Sequence, residues 1–342
     1  MTALDHPHGL SAPASRGPGV ANVLLIANPG SRAGRRAMEP VRRALRTAGV
    51  GCEVVETTAP RHATTLVRQH LLTSPGAFDA VLTLGGDGTA MEAMTALAEF
   101  PDAPPLGIIP VGTANVLART LGIPINAVGA VRALLDAEAT AIDLGFIVGG
   151  PAFAIGLGIG LDAAMIGGAS SALKKRIGFL AYGWSALRAG MRLERFKARV
   201  TVDGVVHDVE TSSVLVANFG RVLGDMVCFG EEIGHQDGLL DVCLYSPRSL
   251  PAALRIFMRM LFGGVSDDRC VRTIRGRHIR IETERPRPMQ ADGELLGSTP
   301  VEIHVEPNAV RLLVPRTKPR RWRLRRAATT RVRMEQVERL RS

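Results

Sequence analysis

Three short polar segments containing glycine stand where apolar runs end. Asn28-Pro29-Gly30-Ser31 follows Val23–Ala27, Gly85-Gly86-Asp87-Gly88-Thr89 follows Ala80–Leu84, and Gly112-Thr113-Ala114-Asn115 follows Leu106–Pro110. Glycines at the end of a buried strand let the backbone turn sharply and bring its N–H groups close to an anion, and the helix that follows adds its positive end. Asp87 would repel a bare phosphate unless it works through a divalent cation or holds backbone donors in place. Glycines with Asp and Thr therefore suit a Mg²⁺-nucleotide better than a free phosphate. Singly, each segment also reads as a turn, with Asp87 or Thr89 as an N-cap and Asn28, Ser31, Thr113 or Asn115 in an Asx-type turn. Three of them at one edge of a parallel sheet point to a ligand. Two later segments, Asp237-Gly238-Leu239 and Ala291-Asp292-Gly293-Glu294, place carboxylates in β-turn sequences.

The elements that must position these groups alternate. Strands at Val23–Ala27, Cys52–Glu56, Ala80–Leu84 and Leu106–Pro110 are interleaved with helical patterns at Ala37–Ala48, His62–Leu72, Ala90–Phe100 and Val128–Ala137. Such alternation predicts βαβ units and a parallel sheet. After Asp143 the texture changes to strand-like runs at Phe153–Gly160, Ala198–Val202, Val214–Asn218, Leu239–Tyr245, His278–Thr283 and Val301–Val305. Helical pattern recurs at Ala172–Met191 and Leu250–Phe262. The expected organisation is a disordered leader (1–20), an α/β domain with a parallel sheet (21–142), a mainly antiparallel β domain (143–315) whose last strand can return to the first, and a basic tail (316–342).

Composition narrows the function classes. The chain has 342 residues and a formal net charge of +10, but only 4% aromatic residues. Residues 316–342 hold 11 Lys+Arg and 2 Asp+Glu, so the body is nearly neutral and the surplus sits at one end. Few aromatics argue against stacking on nucleic-acid bases, and no nucleic-acid partner is expected. Four cysteines without C-x-x-C spacing exclude a disulfide scaffold and a zinc ribbon, and fit a reducing cytoplasm. No apolar run is long enough to span a membrane, and the leader lacks a signal-peptide core. A P-loop motif is absent, and Gly156–Gly160 lacks the context of a dinucleotide fingerprint, reading instead as a glycine-rich strand.

Together, N-P-G-S (Asn28–Ser31), L-G-G-D-G-T (Leu84–Thr89), P-L-G-I-I-P-V-G-T-A-N-V-L-A-R (Pro105–Arg119), D-G-L-L-D-V (Asp237–Val242) and A-D-G-E (Ala291–Glu294) occur in the order of a known family. Over about residues 22 to 315 the chain resembles the diacylglycerol kinase catalytic-domain superfamily, in particular soluble bacterial lipid kinases related to diacylglycerol and sphingosine kinases. The resemblance implies an NAD kinase/diacylglycerol kinase-like α/β domain and a β-rich domain, with ATP in the cleft between them. It implies nucleotide contacts from Asn28, Pro29, Gly30, Ser31, Gly85, Gly86, Asp87, Gly88, Thr89, Glu92, Thr113, Asn115 and Glu294, with Thr57 a weaker match. It assigns the general base to Asp292, and a structural Mg²⁺ to Asp237 with the carbonyls of Gly234 and Leu239. One carboxylate within reach of an acceptor hydroxyl suffices as base for phosphoryl transfer. The chain departs from the family at Arg32, where a second glycine is common, and at Met91, Thr95-Ala96 and Val116, where Asn, Asn-Gly and Asp are usual.

The implied reaction is transfer of the γ-phosphate of Mg-ATP to a lipid hydroxyl, diacylglycerol first, with a sphingoid base or another glycerolipid open. NAD kinase shares GGDG but pairs it with an Asn-Glu dipeptide that this chain lacks. A nucleotide- or nucleic-acid-binding regulator without kinase activity is the reading from a different class. Peripheral association with an anionic membrane is expected from the tail and from Leu250–Phe262, where Arg255 and Arg259 stand four apart as on an interfacial helix. Lys174–Arg176 adds a second basic cluster, and a homodimer is compatible with the sequence.

Overall fold

The structure is a computed structural model that describes residues 20–160 and 194–316. The leader, the helical pattern at 172–191 with Lys174–Arg176, and the tail beyond Arg316 lie outside the described residues.

The first half runs β1 (Asn22–Ala27), α1 (Arg32–Thr47), β2 (Gly51–Glu56), α2 (His62–Thr73), β3 (Ala80–Gly85), α3 (Asp87–Leu97), β4 (Leu106–Pro110), α4 (Val116–Thr120) and α5 (Ala127–Leu135). Strands β1 to β4 are parallel, in the order β2-β1-β3-β4. Apart from Asn22, every residue of β1, β3 and β4 is buried because helices cover the sheet, whereas the edge strand β2 has only exposed and half-buried positions. Parallel strands separated by helices place every strand-to-helix loop at one edge, which gathers the three polar segments.

The second half contains β5 (Ala137–Ile147), β6 (Ala152–Phe153), β7 (Gly156–Gly160), β8 (Phe196–Val202), β9 (Val205–Thr211), β10 (Ser213–Ala217), β11 (Arg221–Val222), β12 (Val227–Cys228), β13 (Leu240–Tyr245), α6 (Leu250–Phe262), β14 (Val271–Gly276), β15 (His278–Thr283), β16 (Pro288–Ala291), β17 (Glu294–Ser298) and β18 (Val301–Pro315). A six-stranded antiparallel sheet, β14-β13-β10-β7-β16-β17, packs Leu157, Ile159, Val214 and Val216 against Val200, Ile279, Ile281 and Ile303 of a second sheet. That second sheet is shared by both halves. Ten strands run β2-β1-β3-β4-β18-β15-β8-β9, with β5 and β6 off the path, and β18 joins β4 through Leu312 and Leu106.

Several boundaries differ from the sequence expectation. Helix α1 begins at Arg32 instead of Ala37, because Ser31 caps the Gly34 N–H. Helix α3 begins at Asp87, inside the GGDGT segment, and not at Ala90. The helix expected to reach Ala137 stops at Leu135, and Ala137 opens β5, a strand the periodicity did not mark. Its length comes from tertiary pairing, with Ala137 opposite Pro315 at one end and Ile147 opposite Ile303 at the other. In α6 both basic side chains are tied to one acid beyond the helix while staying more than a third exposed. The guanidiniums of Arg255 and Arg259 reach Asp268 at 2.8 and 3.6 Å, and the Asp268 side chain is 1% exposed. Among the described residues no helix is long and apolar enough to cross a membrane.

Candidate functional site

The loop after β1 is fixed by its own side chains. Asn28 accepts the Gly30 N–H at 2.9 Å and donates through Nδ2 to Thr89 Oγ1 at 3.2 Å. A Cβ on Gly34 would stand 2.4 Å from the Asn28 carbonyl oxygen, so only glycine lets α1 start this close to the strand. The GGDGT and GTAN segments meet backbone to backbone, since a Cβ on Gly112 would lie 2.7 Å from the Gly86 Cα. Asn115, buried and at φ 47°, accepts the Gly112 N–H at 3.0 Å and donates to the Gly112 carbonyl at 2.8 Å.

Of the two duties open to Asp87, the structure displays the holding of backbone donors. Its carboxylate accepts the N–H groups of Val116 (3.0 Å) and Leu117 (3.1 Å) and so caps α4 from α3. Glu92 does the same for α2. It accepts from Arg61 (2.9 Å) and Ala63 (3.1 Å) where Arg61, at φ 63°, offers no side-chain cap. Thr57 is buried beside Asn28, its N–H on the Ala27 carbonyl at 2.8 Å, and Thr113 is exposed. The nucleotide residues expected from the first half thus share one edge, with Pro29 and Gly30 at its rim. An open cavity of about 440 Å³ flanks that edge, lined by Ala37, Pro110, Gly112, Asn115, Ile125 and Ala127 among others.

Asp292 sits in the turn between β16 and β17 at φ 47°, followed by Gly293 at φ 90°. The turn is braced by Gln290 Oε1, which accepts the Gly293 N–H at 2.9 Å. The Asp292 carboxylate accepts three successive backbone N–H groups, from Ala154 (2.7 Å), Ile155 (2.9 Å) and Gly156 (3.0 Å). Those bonds favour the ionised form, yet burial outweighs them, and with the charge of Asp87 the carboxyl is pushed up to about 6. Glu294, two residues on, crosses to the other half. Its Oε1 lies 3.0 Å from where a Cβ on Gly88 would stand, at the start of α3.

The Asp237 turn comes earlier in the chain's second half, just before β13. Asp237 accepts the Leu239 N–H at 3.1 Å, and its other carboxylate oxygen lies 3.1 Å from the Cβ position of Gly234. Among the described residues no three His, Cys, Asp or Glu side chains are grouped to hold a metal ion. Two buried polar residues that the sequence did not single out join these parts. Asp143 accepts the N–H groups of Gly238 and Asn308, each at 2.8 Å. Asn218 donates through Nδ2 to the carbonyls of Asp143 and Ala154, each at 2.7 Å. The available signal was a lone polar residue within or directly after an apolar strand run, as in Val214–Asn218.

Residues 22–147 match the family described as diacylglycerol kinase catalytic domain, and residues 156–314 match the YegS C-terminal NAD kinase beta sandwich-like domain. An uncharacterized Synechocystis protein is 29% identical over 69% of the chain, and the match spans 54% of that protein's length. A Bacillus subtilis protein named diacylglycerol kinase is 26% identical over 86% of the chain and 96% of its own length. A crystal structure from Bacillus anthracis strain Sterne superposes with a TM-score of 0.74 at 25% identity, over 90% of this chain and 100% of that one. A further structure from that strain, described as a diacylglycerol kinase, superposes with a TM-score of 0.68 at 24% identity, over 88% and 100%. With a diacylglycerol kinase catalytic domain in its first half and the beta sandwich-like domain in its second, the chain belongs to the diacylglycerol kinase-like lipid kinases.

Proposed function

We propose that the protein transfers the γ-phosphoryl group of ATP to a lipid hydroxyl, with diacylglycerol as acceptor and phosphatidic acid as product. The observation that carries this reading is a partly desolvated carboxylate, Asp292, lodged in three N–H groups and within electrostatic reach of the GGDGT loop. Phosphoryl transfer asks the protein for charge neutralisation and alignment more than for covalent help. Asp292 takes the proton of the acceptor hydroxyl as the new oxygen–phosphorus bond forms. The bond to the bridging oxygen breaks, and ADP leaves with that electron pair. Asn28, Thr89, Thr113 and the backbone of Gly85–Thr89 surround the phosphates at the start of α3, with Glu294 beside them. Asp87 and Glu92 act at one remove, by capping the helices that carry this edge.

A Mg²⁺ accompanying the nucleotide supplies neutralisation of phosphate charge. For the separate structural ion, the residues of the Asp237 turn fit. The neighbouring Asp241, 1% exposed, has a buried Oδ2 with no partner, and burial and the Asp237 charge raise its carboxyl above the usual range despite Arg275. Asp237 with the Gly234 and Leu239 carbonyls would hold a cation there and relieve that charge.

Two features support work at a membrane surface from the cytoplasmic side. The exposed face of α6 carries Leu250, Leu254, Met258 and Phe262, which are 43% to 68% exposed, while its two arginines, partly exposed, are drawn to Asp268. No disulfide links the four cysteines. The decisive experiment supplies ATP, Mg²⁺ and a mixture of diacylglycerol, sphingoid bases, other glycerolipids and NAD, and identifies the phosphorylated product by mass spectrometry. Phosphatidic acid is the expected product. Phosphate found on NAD, or on nothing, overturns the lipid-kinase reading, and phosphate on another lipid reassigns the acceptor.

A further inference from the structure

We infer that Asn218 is a positioning residue for the Asp292 carboxylate, acting through the two peptide planes that hold Asp292 Oδ1. The first plane joins the Ala154 carbonyl to the Ile155 N–H. Its oxygen accepts from Asn218 Nδ2 at 2.7 Å while its N–H donates to Asp292 Oδ1 at 2.9 Å. The second plane joins the Ile155 carbonyl to the Gly156 N–H. Its oxygen accepts the backbone N–H of Asn218 at 2.9 Å, and its N–H donates to the same Oδ1 at 3.0 Å. One residue thus holds both planes from behind, and rotation of either would turn a donor away from the carboxylate.

The requirement on this position is chemical as well as spatial. The second hydrogen of Nδ2 goes to the Asp143 carbonyl at 2.7 Å, which anchors the amide to β5 in the shared sheet. The side chain is wholly buried and its Oδ1 has no partner, so its hydrogen bonding is spent on donation. An aspartate here has no donor to offer in its ionised form, and a serine has one. Accepting at a carbonyl also polarises the peptide and strengthens donation from its own N–H, so the bond reaches Asp292 electronically. Asp87 on α3 is the other charge that acts on Asp292.

This inference rests on Asp292 being the base, and the test separates the two. In Asn218→Ala, weaker N–H donation stabilises the ionised carboxyl less. The acid limb of kcat/KM for the lipid is expected to move to higher pH by half a unit or more. Turnover should fall about 100-fold with the KM for ATP unchanged. Asn218→Ser, which keeps one donor and conserves more of the packing, should show a smaller shift in the same direction. It also serves if the alanine variant does not fold. An acid limb at the wild-type position in the serine variant overturns the role, whatever happens to the rate. The carboxyl titration of ¹³C-labelled aspartate in that variant gives the same decision without turnover. Wild-type turnover in Asp292→Asn would instead remove the base itself.

Discussion

Asp292 shows two opposed physical effects on one side chain. Three backbone donors stabilise its charge, and burial with the nearby Asp87 works against it and prevails, leaving the carboxyl near 6. At neutral pH such a group is mostly ionised yet close enough to its pKa to take a proton readily. Because the ionised form is the active one, kcat/KM should fall about tenfold per pH unit below about 6. A profile flat to pH 4.5 would place the base elsewhere. Asp292→Asn should lower turnover by a factor on the order of 10²–10⁴ while leaving ATP affinity intact, read by calorimetry. Asp87→Ala removes two N-terminal caps of α4, at about 1–2 kcal/mol of stability, and should weaken nucleotide binding. Unchanged affinity would make that loop purely architectural. The three strand-end loops and the turn at Asp292 were legible as turns because glycines announce themselves locally, while the role of Asp292 as base came only from the family resemblance. Asp143 and Asn218 were not legible, because their partners lie 64 to 165 residues away and no local pattern encodes them.

At the scale of elements, α6 buries Ala252 and Ile256 but also leaves large apolar side chains in solvent, with its arginines tied to an acid off the helix. Ile256 is buried against Leu215, Ala217, Cys228, Cys243 and Tyr245, and four large apolar side chains face out. The apolar spacing was readable in sequence, but the direction of the arginines depends on Asp268, which lies beyond the helix and is held at about 2, chiefly by its hydrogen bond to Arg255. A carboxyl depressed below its unfolded value contributes stability above pH ~4, and that contribution is lost as pH falls toward 2. Asp268→Asn should accordingly cost about 1–3 kcal/mol at pH 7 in urea melts and little at pH 2. The outward face has a separate test. Leu254→Glu with Phe262→Glu should weaken sedimentation with phospholipid vesicles at least tenfold, each side chain contributing roughly 1–2 kcal/mol of burial. Because both positions are exposed, thermal stability should stay within about 0.5 kcal/mol per substitution. Undiminished vesicle binding would assign that face to something other than the bilayer.

On the scale of the whole molecule, one sheet and one charge asymmetry decide what can be removed. Strand β18 pairs with β15 in its first part, with β5 along both parts, and reaches β4 at Leu312, so it stitches the parallel and antiparallel halves together. It ends at Pro315, one residue before the arginine-dense stretch in which 11 basic residues face 2 acidic ones. Two truncations one strand apart should therefore behave very differently. Ending the chain after Pro300 deletes β18, exposes Leu312, Ile303 and Val310 partners in both halves, and should abolish cooperative folding. Ending it after Arg316 removes no residue of the shared sheet, so melting and activity on detergent-dispersed lipid should match the full chain. The body left behind is almost neutral, so attraction to anionic vesicles should drop, and what binding remains should lose most of its salt dependence. Basic residues near an anionic surface contribute about 1 kcal/mol each, so even a few engaged arginines amount to a 100-fold effect at low salt. Equal vesicle binding by the two longer forms at low and high salt would show that the charge surplus has no part in membrane attachment. The apolar face of α6 would then be left as the sole membrane contact inferred from the described residues.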